Sequence, residues 1–158
     1  MLRKLTLILA LIAGLAMRAD ASYLLLPMDE VSQRNHLKAY GITYWVLSQG
    51  VEAYWLLNYR GGSFVFLYTP TFEKECKTRD VSYEIIADAQ FANIQNEVLN
   101  PEINMDVIKL EKAPKIAVYT PDKNEKGELI QPWDDAVTLV LTYAEIPYDI
   151  VYDTEVLQ

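Results

Sequence analysis

The segment LLNYRGGSF, residues 56–64, carries the side chains best suited to hold a ligand. Its apolar run ends in Asn58 and Arg60, which are followed by Gly61 and Gly62. An arginine can clamp a carboxylate through two parallel hydrogen bonds, and glycines let backbone N–H groups approach a ligand closely. The same residue types also form ordinary turns. The segment is therefore either a binding loop or only a turn.

Acidic and aromatic residues stand at other predicted strand ends and helix starts. Asp29 follows the first apolar run, Asp88 follows a later one, and Trp133 and Asp134 open a helix. A carboxylate at a helix start commonly caps free N–H groups and complements the helix dipole. If these side chains face a ligand instead, their charge disfavours a phosphate and favours an amine, a cation or a polyol. All four join the 56–64 segment in the predicted binding site.

The residues of common catalytic sites do not occur together in this sequence. There is no G-x-G-x-x-G after a strand and no G-x-x-x-x-G-K-[ST], so the usual nucleotide-binding loops are excluded. His36 is the only histidine, which excludes a histidine-based metal cluster, and we expect it at the surface. Cys76 lies in EKECKT, where neighbouring acids should raise its thiol pKa. No catalytic residue, metal ligand or cofactor is assigned.

Two strand–helix–strand units are predicted, one near each end of the chain. They comprise 22–28, 33–49 and 51–59, and then 115–121, a helix from Pro132, and 148–152. Gly41, inside the first helix, is expected to let that helix approach a sheet closely. Proline suits the first helical position, which supports a helix start at Pro132.

The middle of the chain supplies further elements. SYEIIAD is predicted as a strand, AQFANIQNEVLN as a helix, and MDVIKLE as a strand or a turn. Residues 63–79 are predicted as a loop that leads into a short helix at 72–77. Apolar strands separated by helices predict an α/β fold, namely an open, mostly parallel, flavodoxin-like sheet with helices on both faces. In such sheets ligands bind beyond the carboxyl ends of the strands.

The first 21 residues have the pattern of a secretory signal peptide. Arg3 and Lys4 precede the apolar run 5–17, and Ala19-Asp20-Ala21 supplies a cleavage site before Ser22. The run is shorter than the roughly 20 residues that span a bilayer. We therefore expect a periplasmic or extracellular protein with no membrane span after cleavage. The net charge of −8 argues against a nucleic-acid partner.

The segments QRNHLKAYGITYWVLSQGVEAYWLLNYRGGSF and KLEKAPKIAVYT, with QPWDDAVTLVLTYAEIPYDIVYD, carry a family resemblance. In them the chain resembles a group of exported bacterial proteins, many of which bear the label asparagine synthetase B. PWDDAVTLVLTYAEIPYDIVYD is also similar to the opening strand–helix–strand of class I glutamine amidotransferase-like domains. Members of the group continue beyond the position equivalent to Gln158. The resemblance therefore implies an N-terminal portion of a longer protein.

These observations predict the domains and the candidate functions. The predicted domains are an α/β domain over 22–112 and the start of an amidotransferase-like unit over 113–158. The first functional hypothesis is an exported binding or scaffold module for a small molecule, a glycan or a protein. The second is the N-terminal part of an amidotransferase-like hydrolase. The third is an asparagine synthetase, although the S-G-G-x-D-S loop and the N-terminal cysteine of that enzyme do not occur here.

Overall fold

The computed structural model describes residues 23–120, 126, 128 and 136–152. They contain seven strands, four α-helices and one 3₁₀ helix, Tyr59–Gly61. The strands are β1 Tyr23–Leu26, β2 Ala53–Leu57, β3 Phe64–Leu67, β4 Glu84–Ile86, β5 Asp106–Leu110, β6 Ala117–Tyr119 and β7 Asp149–Val151. The α-helices are α1 His36–Ser48, α2 Pro70–Thr78, α3 Asp88–Val98 and α4 Ala136–Ala144.

Five strands form one sheet in the order β4–β1–β3–β2–β5, and every neighbouring pair is antiparallel. The strands β6 and β7 pair in parallel as a separate two-stranded sheet. The predicted fold class, an open and mostly parallel sheet, is therefore wrong. The order and directions of β1 to β4 are those of the split βαβ or ferredoxin-like arrangement, with β5 added beside β2.

The wrong prediction traces to β3, which lies in the part of the sequence expected to form a loop. β1 and β2 are both antiparallel to β3, so they run in the same direction, but β3 lies between them. Three of the four residues of β3 are buried. The chain returns directly from β2 to β3 as a hairpin, in which the Leu56 N–H donates to the Ser63 carbonyl at 2.8 Å. This hairpin makes the sheet antiparallel.

Successive side chains of a strand point to opposite faces of the sheet, and here both faces carry an apolar core. Leu24 and Leu26 of β1 pack with Phe66 of β3 beneath α1 and α2. On the opposite face, Leu25 packs with Phe91 of α3. The helix α3 therefore crosses the second face and connects β4 at one edge to β5 at the other.

The C-terminal unit is held against the main sheet by the contact of α4 with α1. Gly41 of α1 lies directly against the carbonyl group of Ala144, so it approaches a helix and not the expected sheet. Glu145, just after α4, forms ion pairs with Lys38 and with Arg79. The contact thus combines a close backbone approach with a charged group shared between two cations.

Several predictions about chain organisation are not decided by these elements. The predicted domain boundary at 112/113 falls between β5 and β6 and stays a prediction. The predicted signal peptide and the helix start at Pro132 lie outside the described residues. None of the described helices is long and apolar enough to cross a membrane.

Replacing Gly41 with alanine should destabilise the protein by about 1–3 kcal/mol, because the new methyl group would overlap the Ala144 carbonyl. Helix propensity alone predicts the opposite sign, a gain of about 1 kcal/mol. Urea unfolding of wild type and Gly41→Ala measures the difference. A variant that is more stable than wild type would show that α1 and α4 do not pack in this way.

Candidate functional site

The RGGS stretch forms the turn of the β2–β3 hairpin. Asn58, Arg60, Gly61 and Gly62 all have positive φ, at 61°, 45°, 79° and 93°. The N–H groups of Gly62 and Ser63 both donate to the Tyr59 carbonyl at 3.0 Å. Two of the N–H groups that could bind a ligand are therefore already used within the turn.

The guanidinium of Arg60 is surrounded by acceptors from its own chain. Its Nη2 lies 2.8 Å from Glu84 Oε1 and donates to Ser32 Oγ at 3.2 Å. Its Nε lies 3.4 Å from Asp29 Oδ2. The hydrogen bond to Glu84 is the largest cause that raises the pKa of Arg60. A ligand carboxylate would have to displace Glu84 to gain a bidentate contact.

Asp29 belongs to the same cluster, as the sequence predicted from its position after β1. Its Oδ1 accepts a hydrogen bond from the Ser32 N–H at 2.8 Å, which closes the turn before α1. Hydrogen bonding by Ser32 is the largest cause that lowers the pKa of Asp29, and Arg60 lowers it further. The structure therefore gives Asp29 and Arg60 a direct stabilising role between β1, the hairpin turn and β4.

The remaining predicted site residues do not join this cluster. Asn58 turns away from it and donates from Nδ2 to the Asn104 carbonyl at 2.7 Å. Asp88 is the first residue of α3 and follows β4, whose end pairs with Tyr23 at the beginning of β1. Asp88 therefore lies at the opposite end of the strands from Arg60, because β1 and β4 are antiparallel. Trp133 and Asp134 lie outside the described residues.

His36 and Cys76, which were not predicted to be site residues, both contact the core structure. His36 is half-buried, and its Nε2 lies 3.1 Å from the Met28 carbonyl oxygen. Cys76 belongs to α2 and is completely buried. Burial raises the pKa of its thiol to about 12, with smaller contributions from Glu73 and Glu75. Glu73 and Glu75 raise the thiol pKa, as expected from the sequence, but the loss of solvent around the thiol raises it more.

A hydrogen-bonded carboxylate that the sequence did not reveal lies on α2. Glu73 Oε1 accepts from Tyr83 OH at 2.9 Å and from Lys77 Nζ, and its Oε2 accepts from Tyr68 OH at 2.9 Å. These bonds, first that from Lys77, lower the pKa of Glu73 to about 2. The i, i+4 spacing of Glu73 and Lys77 is visible in the sequence, but the approach of the two tyrosines depends on the fold.

A second feature is an apolar surface on the C-terminal unit, whose exposure the sequence did not reveal. Leu139, Val140 and Tyr143 of α4 are 55%, 44% and 51% exposed. The helix has the sequence AVTLVLTYA and contains no charged residue. Beside it, β6 and β7 form a sheet of two strands with three residues each. We call α4 together with β6 and β7 the α4 surface.

The described residues indicate no metal site, and similarity to known proteins indicates no family. Within the described residues, no group of three or more His, Cys, Asp or Glu side chains could hold a metal ion. The chain matches no protein-family model, no curated protein and no solved structure. The resemblance to proteins labelled asparagine synthetase B therefore stays a prediction.

Replacing Glu73 with glutamine should lower stability in a pH-dependent way. Because the folded pKa of about 2 lies below the ordinary 4.5, the unfolded state binds more protons between these values. The advantage of wild type should be complete above pH 4.5 and should shrink as the pH falls towards 2. Unfolding curves between neutral pH and a pH of about 3 measure it. The control is Glu102→Gln, an exposed carboxylate without an ion pair among the described residues. A wild-type advantage that does not change with pH would contradict this role of Glu73.

Proposed function

We propose that this chain is an exported binding or scaffold module that engages another protein through the α4 surface. The observation that carries the proposal is the exposure of Leu139, Val140 and Tyr143 on a helix without charged residues. Contiguous exposed apolar side chains mark interaction sites in soluble proteins. The proposal rests on this surface, and its exported location rests on the signal-peptide pattern of residues 1–21.

The paired strands β6 and β7 supply a second reason to expect a protein partner. Parallel sheets are normally larger and covered on both faces, and a sheet of two short strands is weak by itself. Within the described residues no further strand pairs with β6 or β7. A partner that packs on α4 can cover this small unit, because α4 supplies an apolar contact area beside the two strands.

Charge favours a different protein over a second copy of this chain. Two copies that each carry a net charge of −8 repel one another, and α4 has no charged residue that could form compensating ion pairs. The same charge disfavours nucleic acid. We therefore commit to a partner of different sequence that presents an apolar face.

The direct test replaces exposed apolar residues of α4 with lysine. Leu139→Lys and Val140→Lys should change stability by no more than about 0.5 kcal/mol, because both side chains are largely exposed. Leu99→Lys is the matched control, since Leu99 is 58% exposed at the end of α3. Light scattering gives the molar mass of the native assembly purified from the exported fraction.

For wild type, we expect a molar mass larger than that of one chain and different from that of two copies. Each α4 variant should have the mass of one chain, whereas Leu99→Lys should have the same mass as wild type. A wild-type protein with the mass of one chain contradicts the proposal. A mass of two copies, or an assembly that survives both α4 variants, also contradicts it.

A second candidate is the N-terminal part of an amidotransferase-like hydrolase. The parallel β6–α4–β7 unit favours it, because strand–helix–strand units of this kind build α/β sheets. In that case the α4 surface is covered by the same polypeptide. The mass of the denatured exported protein separates the candidates, since only this one requires a covalent chain longer than 158 residues.

A further inference from the structure

A cleft of about 290 Å³ opens on the face of the five-stranded sheet that α3 partly covers. Its lining consists of Tyr23, Gly50, Val51, Glu52, Tyr54 and Leu67. The helix α1, and with it α4, packs on the opposite face of the sheet. The cleft is therefore separate from the α4 surface and from the Arg60 cluster.

The apolar walls of the cleft are fixed by aromatic contacts. The ring centroid of Phe91 lies 4.5 Å from that of Tyr23 and 5.1 Å from that of Tyr54. Between the two tyrosines, Leu67 of β3 pairs with Tyr23 of β1 and is 52% exposed. A half-exposed leucine flanked by two packed tyrosines provides an apolar surface on which a flat ligand face can rest.

The polar groups at the rim are balanced in charge. Glu52 Oε1 and Lys109 Nζ form an ion pair at 2.8 Å, beside Tyr54, which pairs with Lys109 across the sheet. Neither the Tyr23 nor the Tyr54 hydroxyl has a hydrogen-bond partner in the part of the chain that the structure describes. Two phenols, one carboxylate and one ammonium group therefore offer both donors and acceptors around an apolar floor.

We propose that this cleft binds a neutral polyhydroxylated ligand, specifically one sugar residue. The apolar face of a sugar ring suits Leu67 and the tyrosines, and its hydroxyls can both donate to Glu52 and accept from the phenols. A volume of about 290 Å³ lies near the lower end of ligand pockets, which span about 300–1,000 Å³. The site is therefore small, and one ring fits its scale.

The charge arrangement argues against charged ligands. Lys109 already neutralises Glu52, so a cationic amine would meet no free carboxylate at this position. An anion would meet the negative charge of Asp88, which acts on Tyr23. A ligand without charge can use the existing groups without breaking the Glu52–Lys109 pair.

The test titrates glucose, galactose, mannose and N-acetylglucosamine into the isotope-labelled protein and follows the ring signals of Tyr23 and Tyr54 by NMR. Glucosamine provides the cationic comparison on the same ring. In Leu67→Arg, the longer side chain should fill the cleft and form an ion pair with Glu52. Leu99→Arg is the control, because Leu99 lies outside the cleft and is 58% exposed, compared with 52% for Leu67. Tyr54→Phe removes one hydroxyl but keeps the aromatic wall.

At least one neutral sugar should give saturable shifts at both tyrosines with a millimolar dissociation constant. Leu67→Arg should abolish them, Leu99→Arg should preserve them, and Tyr54→Phe should weaken binding roughly fivefold, as expected for one hydrogen bond. The absence of shifts with all four neutral sugars overturns the proposal. Shifts with glucosamine alone, or binding that survives Leu67→Arg in a folded protein, also overturn it.

Discussion

The close approach of Gly61 to the end of β1 is the constraint on which the main sheet depends. The Met28 N–H donates to the Arg60 carbonyl at 3.0 Å, and the Cα of Gly61 faces the Met28 carbonyl with no space for a side chain. This backbone contact joins the β2–β3 turn to β1 and holds β3 between β1 and β2. Because β3 contributes buried residues to both faces and Leu67 to the cleft beside Tyr23, the two cores and this cleft all depend on the hairpin.

The same turn explains why a ligand-like sequence has a structural use. Arg60 has a positive φ of 45°, an unfavourable conformation for a residue other than glycine, and its side chain connects Asp29, Ser32 and Glu84. Two separate segments of an acidic chain, the turn 29–32 and β4, thus share one cation. The surfaces left open for partners lie elsewhere, at α4 and at the cleft beside Tyr23. Binding is therefore proposed for places where apolar side chains such as Leu139 and Leu67 stay exposed.

Local sequence signals located most elements but not their arrangement. The helix predicted at 33–49 is α1, His36–Ser48, which begins where Asn35 Oδ1 accepts from the Lys38 N–H. The strand Phe64–Leu67 was missed because a short apolar run after two glycines does not distinguish a returning strand from a loop. Strand-end reasoning placed Asp29 and Arg60 at the same end of the sheet, where the structure has them 3.4 Å apart. It failed for Asp88, because β4 runs antiparallel to β1 and its carboxyl end lies at the opposite end of the sheet. The Tyr68 and Tyr83 contacts to Glu73, and the cleft, depend on pairings that no local pattern contains.

The most direct measurement compares the unfolding free energies of Gly61→Ala and Gly50→Ala. Both glycines have a similar positive φ, 79° and 76°, but a methyl group at Gly50 would meet nothing within 4 Å. Gly50→Ala therefore reports the backbone cost alone, about 1–2 kcal/mol. Gly61→Ala should add the overlap with Met28 and cost roughly 3 kcal/mol or more. Equal losses for the two variants would contradict the claim that the Gly61–Met28 contact holds the sheet together.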